Sequence, residues 1–415
     1  MPQLLAVSWT MPPVLAPRSI QVALTLNHLQ KLGWQTTVLC TAQTGLNKWV
    51  LIDSSLEQAL GRDYQPLRVN SLERSRPIKA LERYLFLEHL VWMFRAISRG
   101  KELLRTGKFS GIISFAQPWA CHLAGLRLHR LSGLPWVAHF SDPWVDNPYL
   151  RAMPWQRLFW RQLEAAVIQD AGAVFFVNSQ TADLVMRKYP SEFKKKIRVL
   201  PHGFDATFSS GLALSPRPRP RLRLVYTGSF YPGWRTPEGL FRGLEILGRT
   251  RALADQLEIR LIGTFAPDYQ LLANSLGLSQ IVTCRGAVPF AKSIREAAAA
   301  DVLLVIDAPS DSPGLFLPSK LVDYLAFHKP ILGMTPTEGA SADLLRQLQC
   351  PVAAPNDPDG IAAIVGQLLD QWQSGNLKVS PTFTDVAQRY DIRQTTRQLH
   401  LVLEELISNK ATMDV

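Results

Sequence analysis

Cysteine is scarce in this chain: four residues in 415, Cys40, Cys121, Cys284 and Cys350. They lie far apart among apolar neighbours, and no two have metal-ligand spacing, which speaks against a thiolate metal site. They read as reduced core residues in a reducing compartment. No apolar run approaches the ~20 residues that span a bilayer. The amino-terminal MPQLLAVSWTMPP lacks the basic start of a secretory signal and reads as a buried strand. No N-x-[S/T] acceptor occurs. Three nucleotide and metal signatures are also missing: G-x-x-x-x-G-K-[S/T], H-E-x-x-H, and G-x-G-x-x-G after the first strand. Their absence argues against a P-loop nucleotidase, a zinc protease and an ordinary dinucleotide dehydrogenase.

What is present is a globular composition, 47% hydrophobic and 19% charged, in a chain long enough for two cores. The net charge of +11 points to an anionic partner: a phosphorylated substrate, a membrane surface or nucleic acid. None of the usual nucleic-acid motifs appears, so nucleic acid is not expected.

Short apolar runs alternate with longer helical patterns, the mark of βαβ units and parallel sheets. In the first half the predicted strands are 4–9, 36–40, 111–115, 135–140, 173–178 and 197–201. A helix is expected over Ile20 to Leu32, closed by Gly33. SPRPRPRLR, Ser215 to Arg223, reads as an extended, exposed break. The alternation then restarts with strands at 222–228, 257–263, 281–286, 301–306, 330–334 and 351–354. The expected organisation is therefore an α/β chain of two doubly wound Rossmann-like domains, 1–210 and 211–385. A last helix, about Thr395 to Ile407 within residues 386–415, follows the second domain's strands. In such folds ligands bind at loops past the carboxyl ends of the strands.

Four loops there carry chemistry. In LFLPSKLVDYLAFHKPIL a helix from about Ser319 to Phe327 starts at Pro318, so Lys320 and the free amides of its first turn suit a phosphate, and Asp323 suits paired sugar hydroxyls. In YTGSFYPGWR, Gly228 permits close backbone approach and Arg235 suits bidentate phosphate contact. The first βα loop places Arg18 and Ser19 at a helix start. AHFSDPW brings His139, Ser141 and Asp142 to the end of a strand. The alternatives are plain: capped turns, solvated charges, an ordinary glycine turn. Asp357 and Asp359 in PNDPDG read as helix capping, not as a metal site.

Taken in order, MPPVLAPRS, FSDPW, FVNSQ, VLPHGFD, YTGSFYPG, RGAVP and PSKLVDYLAFHKPIL resemble family 4 of the retaining glycosyltransferases, over nearly the whole chain. That resemblance implies a GT-B fold, two Rossmann-like domains facing across a cleft. It implies a nucleotide-diphospho-sugar as donor substrate, no cofactor and no metal. Gly228, Ser229, Arg235, Ser319 and Lys320 match the diphosphate contacts, Asp323 the ribose acid, and Gly286 to Val288 the segment beside the base. The amino-terminal domain would take a glycan, lipid-linked or small-molecule acceptor, with the last helix returning to it. Leu315 stands where the family's first motif acid would be. The usual catalytic histidine would fall near Ser141, which leaves His139 and Asp142 as the catalytic candidates. A cytoplasmic enzyme of polysaccharide biosynthesis is the expectation. The basic, aromatic segment Lys79 to Lys108 is either a peripheral contact with the inner membrane face or a buried helix pair. The rival readings are a non-catalytic sugar-nucleotide-binding protein and a sugar-nucleotide epimerase.

Overall fold

The computed structural model describes residues 1–43, 46, 50–71, 75–85, 88–150, 152–208, 219–266, 268–310 and 312–413. The chain forms two compact units, residues 1–203 with 392–415, and residues 204–391.

The first unit is built on a parallel sheet: β1 (Gln3–Val7), β2 (Gln35–Thr41), β3 (Gln65–Val69), β4 (Phe109–Phe115), β5 (Trp136–Phe140), β6 (Ala173–Phe176) and β7 (Ile197–Val199). Its order is β3-β2-β1-β4-β5-β6-β7. Every residue of β5 and β6 is buried, as expected of central parallel strands covered on both faces. β3 is the strand that the apolar-run criterion passes over. Its sequence QPLRV carries a proline, and only Val69 is buried. An edge position tolerates both. Large rings fill the core, with Trp34, Trp92, Trp136, Trp144 and Trp160 all fully or almost fully buried.

The second unit has β8 (Leu222–Thr227), β9 (Leu257–Ile262), β10 (Val282–Arg285), β11 (Val302–Ile306), β12 (Ile331–Met334) and β13 (Val352–Ala353), in the order β10-β9-β8-β11-β12-β13. The period-2 alternation of strands sorts its core into two layers. Leu224, Tyr226, Leu304 and Ile306 enter one cluster, while Val225, Leu303 and Val305 enter the other.

In each sheet the chain starts in the middle, runs to one edge, then jumps back and proceeds outward. The strand order therefore reverses between β1 and β4, and again between β8 and β11. Those two reversals are where loops splay apart and leave room for a ligand.

The closing helix, Ile392–Met413, belongs to the first unit. It buries Leu399 and Leu403, and Trp34 Nε1 donates to His400 Nδ1 at 2.9 Å. Of the proline-arginine segment, 215–218 lie outside the described residues. Arg219 is not the exposed residue expected of a linker: its guanidinium donates to the Ala299 carbonyl and lies 3.8 Å from Asp301, with 13% of the side chain exposed. The basic segment forms two helices, Arg76–Leu85 and Leu90–Thr106, with 86–87 outside the described residues. The first buries no side chain at all, so a fully buried pair is not what the chain builds.

Gly203 sits where the closing helix meets the end of the first unit. A Cβ there would stand 2.6 Å from Ile392 Cα and 2.7 Å from Thr395 Oγ1. Gly203→Ala is expected to cost about 1–3 kcal/mol by overpacking. The check is a lowered denaturant midpoint for the tryptophan-emission transition; an unchanged midpoint contradicts the close packing.

Candidate functional site

In the second unit the loops at the strand-order reversal carry the charged side chains. β8 ends in Thr227 and Gly228, whose φ of 148° is a conformation open to glycine. A Cβ on Gly228 would strike the Lys320 ammonium. The missing side chain is therefore what makes room for Lys320.

Lys320 comes from the short helix Ser319–Tyr324, which continues as a 3₁₀ turn over Leu325–Phe327. Lys320 and Tyr324 lie one turn apart on the same face. Lys320 Nζ reaches Tyr226 Oη at 2.7 Å and sits 4.1 Å from that ring's centre. Tyr324 Oη accepts from the Thr227 amide at 2.9 Å. The helix is thus pinned to the end of β8 at two points.

Arg235 arrives from the other side. The chain folds back between Tyr231 and Arg235, each amide bonding the other's carbonyl at 2.9 Å. The guanidinium donates twice to the Ser229 carbonyl, at 2.9 and 3.2 Å, and lies over the Tyr231 ring. The same carbonyl accepts from Tyr226 Oη at 3.0 Å. Two cations are in this way tied to one Tyr226–Ser229 anchor, and neither forms an ion pair with a carboxylate among the described residues. Burial, and then the charge of Arg235, push the Lys320 ammonium well below its usual range. Asp307, at the end of β11, is pushed up by burial and held by Ser341 Oγ at 2.9 Å.

Asp323 lies one turn beyond Lys320, half-buried, and its carboxyl has no hydrogen-bond partner among the described residues. Burial raises it to about 7. Ser319 is half-buried on the same short helix. Gly286 is exposed past the end of edge strand β10, with open space around its Cα, while Val288 turns into the core. Sequence reading missed Tyr226, Tyr324 and Asp307. The four-residue step from Lys320 to Tyr324 was the available signal.

The first unit gathers a second set. Arg18, in the first turn of the helix Pro17–Lys31, donates to the His139 carbonyl at 2.8 Å and contacts His139 Nδ1 at 3.1 Å. A guanidinium can only donate, so Nδ1 is the acceptor and the proton sits on Nε2. Burial, helped by Arg18, drives His139 well below its normal pKa and lowers His202 to about 3. Both rings are neutral, with centres 6.4 Å apart. Burial also lowers Arg18, to about 10, which leaves it charged. Ser19 is fully buried, so its hydroxyl does not face outward with Arg18. Asp142 accepts from Ser141 Oγ at 2.7 Å and Gln117 Nε2 at 3.3 Å, and burial raises its pKa. Asp357 does cap its helix, accepting from the Gly360 amide at 3.0 Å.

Residues 20–203 match the family model described as Glycosyl transferase 4-like domain. No curated protein matches the chain. Among solved structures, a glycosyltransferase from Rickettsia africae is 12% identical, with TM-score 0.70 over 98% of this chain and 99% of that one. Sucrose-phosphate synthase from Thermosynechococcus elongatus is 14% identical, with TM-score 0.71 over 99% and 100%. The UDP-GlcNAc 2-epimerase from Neisseria meningitidis, solved with UDP-GlcNAc bound, is 15% identical, with TM-score 0.59 over 97% and 100%. At these identities the likeness is one of fold: two Rossmann-like domains of GT-B type.

The imidazoles give a direct check. ¹⁵N spectra of the His139 and His202 rings are expected to stay those of neutral histidine from pH 8 down to pH 5. A titration midpoint near 6.5 for either ring contradicts the burial described.

Proposed function

The chain carries a glycosyl transferase 4-like domain on a GT-B scaffold, and from that premise we propose that it moves a sugar from a nucleotide-diphospho-sugar to an acceptor. The observation that carries the proposal is the pair Lys320 and Arg235, two basic groups on one anchor with no carboxylate in ion-pair contact with either among the described residues. Like charges held together in a half-buried site are costly unless an anion joins them. A diphosphate supplies that anion. It draws the Lys320 ammonium back toward its usual range, and each charge it gains as the sugar departs is met by a fixed cation. In this reading the two side chains do the work a divalent cation does elsewhere, and transfer proceeds with retention, as the family 4 resemblance implies. Asp323, partnerless one turn away, takes the ribose hydroxyls, and Gly286 to Val288 flank the base. Asp142, held by Ser141 and Gln117, and His139, with its proton on Nε2, are the groups proposed to orient the acceptor hydroxyl. An epimerase reading draws on the likeness to the Neisseria enzyme. It would convert the nucleotide-sugar into its epimer with no acceptor present.

Thermal-shift measurement against UDP-, GDP-, ADP- and dTDP-sugars tests the donor site. One nucleotide class is expected to raise the midpoint, and Lys320→Ala to abolish the shift and cost on the order of 10²-fold in turnover. Asp323→Asn is expected to weaken binding about tenfold at pH 8 but little at pH 6, because a carboxyl raised to about 7 is already protonated below that pH. A shift that survives Lys320→Ala defeats the site assignment. Conversion of the nucleotide-sugar into its epimer in the absence of any acceptor favours the epimerase.

We further propose that the first unit rests on an anionic membrane surface, in keeping with a lipid-linked acceptor and a cytoplasmic, peripheral location. Leu81 and Tyr84 on one helix, and Trp155 and Leu158 on another, are 41–64% exposed. Tyr84 and Trp155 join the two pairs with ring centres 5.0 Å apart. Lys79, Arg83, Arg157 and Arg161 are exposed around them. Apolar rings flanked by bases suit the headgroup region of an anionic bilayer. The protein should sediment with phosphatidylglycerol-containing vesicles and stay free of phosphatidylcholine ones. Leu81→Glu with Tyr84→Glu should lower that binding at least tenfold; equal binding by the double variant removes the proposal.

A further inference from the structure

The first unit holds a cleft at the other end of its sheet from the loops described above. It opens between the last turns of the helices Leu90–Thr106 and Ala120–Ser132, beside Phe109, the first residue of β4, and Leu134, shortly before β5. Its volume is about 230 Å³. Leu104, Phe109, Leu131 and Leu134 supply the apolar wall, and Leu131 is 41% exposed. Gly107 lets the Phe109 ring rest against bare backbone, since a Cβ there would stand 2.7 Å from the ring. The backbone acceptors around the cleft are already in use. The Leu103 carbonyl takes the Gly107 amide and the His129 carbonyl the Gly133 amide, both at 2.7 Å. The Leu134 carbonyl accepts from His129 Nδ1 at 2.7 Å, and the Gly133 carbonyl from Lys410 Nζ at 2.6 Å. Ser132 Oγ donates to the Leu128 carbonyl at 2.9 Å and accepts from the Leu134 amide at 3.2 Å. Glu102, the acid beside the cleft's two basic residues in sequence, is paired with Arg99. What remains is Lys101 and Arg105, both exposed and lining the cleft, with no hydrogen bond or ion pair among the described residues.

An empty apolar cleft forfeits the dispersion contacts that a filled one makes, and hydrocarbon enters such a space more readily than ordered water does. At ~30 Å³ for each group of water or methylene size, 230 Å³ holds about eight of them. The two unpaired side chains in the lining can only donate. They stand four residues apart on one helix, so a single acceptor group can bond both. A cationic head is repelled there, a neutral one leaves the charges unmatched, and an anionic head is met by charge-assisted bonds. We propose that this cleft binds an amphipathic anion, with an apolar body of about eight carbons against Leu104, Phe109, Leu131 and Leu134 and a carboxylate or phosphate head on Lys101 and Arg105. The site stands on the first unit alone and does not depend on the transferase reading.

Isothermal titration of the full chain with octanoate, octyl phosphate, acetate and octyltrimethylammonium tests it. At least one of the two octyl anions should bind saturably. Acetate, which lacks the body, and the ammonium, which carries the wrong charge, should not. Preference for octanoate or for octyl phosphate distinguishes a free acid from a phospholipid-type source. Lys101→Gln with Arg105→Gln, both at exposed positions, should weaken binding at least about tenfold. Leu131→Trp, which fills the cleft from a partly exposed position, should weaken it as much with both charges in place. Leu81→Glu with Tyr84→Glu should bind the octyl anions like the parent, because those residues belong to the surface patch and not to the cleft. No binding by either octyl anion, equal binding by the ammonium, parent-like binding by the Gln double variant or by Leu131→Trp, or loss of binding in the Leu81 and Tyr84 variant each overturns the assignment. The nucleotide-induced thermal shift plays no part in these readings, so failure here and failure of the donor site are read separately.

Discussion

The Ser229 carbonyl accepts hydrogen bonds from Tyr226 Oη and twice from Arg235, while Tyr226 Oη takes the Lys320 ammonium. Everything distinctive in the second unit depends on this one anchor. It brings two positive groups from different loops to the same strand end, with no carboxylate in ion-pair contact with either among the described residues. Gly228 must lack a side chain for Lys320 to lie there, and Tyr324 must bond Thr227 for its helix to stay in register. The arrangement stabilises nothing by itself. Its electrostatic cost, visible in the depressed Lys320, is the kind that folds carry where a ligand will complete the set.

The first unit repeats the logic with other residues. Arg18 is held partly buried by the His139 carbonyl and ring, at the reversal between β1 and β4, and again no carboxylate forms an ion pair with it among the described residues. In both units the cation is set by backbone topology: the strand order reverses, two loops part, and a helix begins beside them. The neutral histidines follow from the same cause. A ring buried next to a guanidinium cannot keep a second positive charge, so His139 and His202 become neutral hydrogen-bonding groups.

The fold was readable because central parallel strands are continuous apolar runs, and runs such as DVLLVI and PWVAHF announce themselves. β3 was not, because an edge strand buries one residue in five and carries none of that signal. Lys320, Arg235 and Asp323 were legible as polar residues placed just after strands or at a helix start. Their anchor was not: Tyr226 and Tyr324 look like core aromatics, and only the third dimension turns their hydroxyls to the loops. His202 stood in a recognised motif, VLPHGFD, with no role attached, and Thr396 sat unnoticed in the last helix. What brings those two together is the return of residues 392–415 to the first unit, a contact nearly two hundred residues distant in sequence, which no local pattern encodes.

That distance also bears on how the first unit is closed. Thr395 and Thr396 come beside Arg18, His139 and His202 only when the closing helix has docked, and Gly203 admits the helix because it has no Cβ to meet Ile392. The wall around these groups is therefore drawn from stretches of chain nearly two hundred residues apart, and the missing side chain at Gly203 is the local condition that lets the distant stretch close against it.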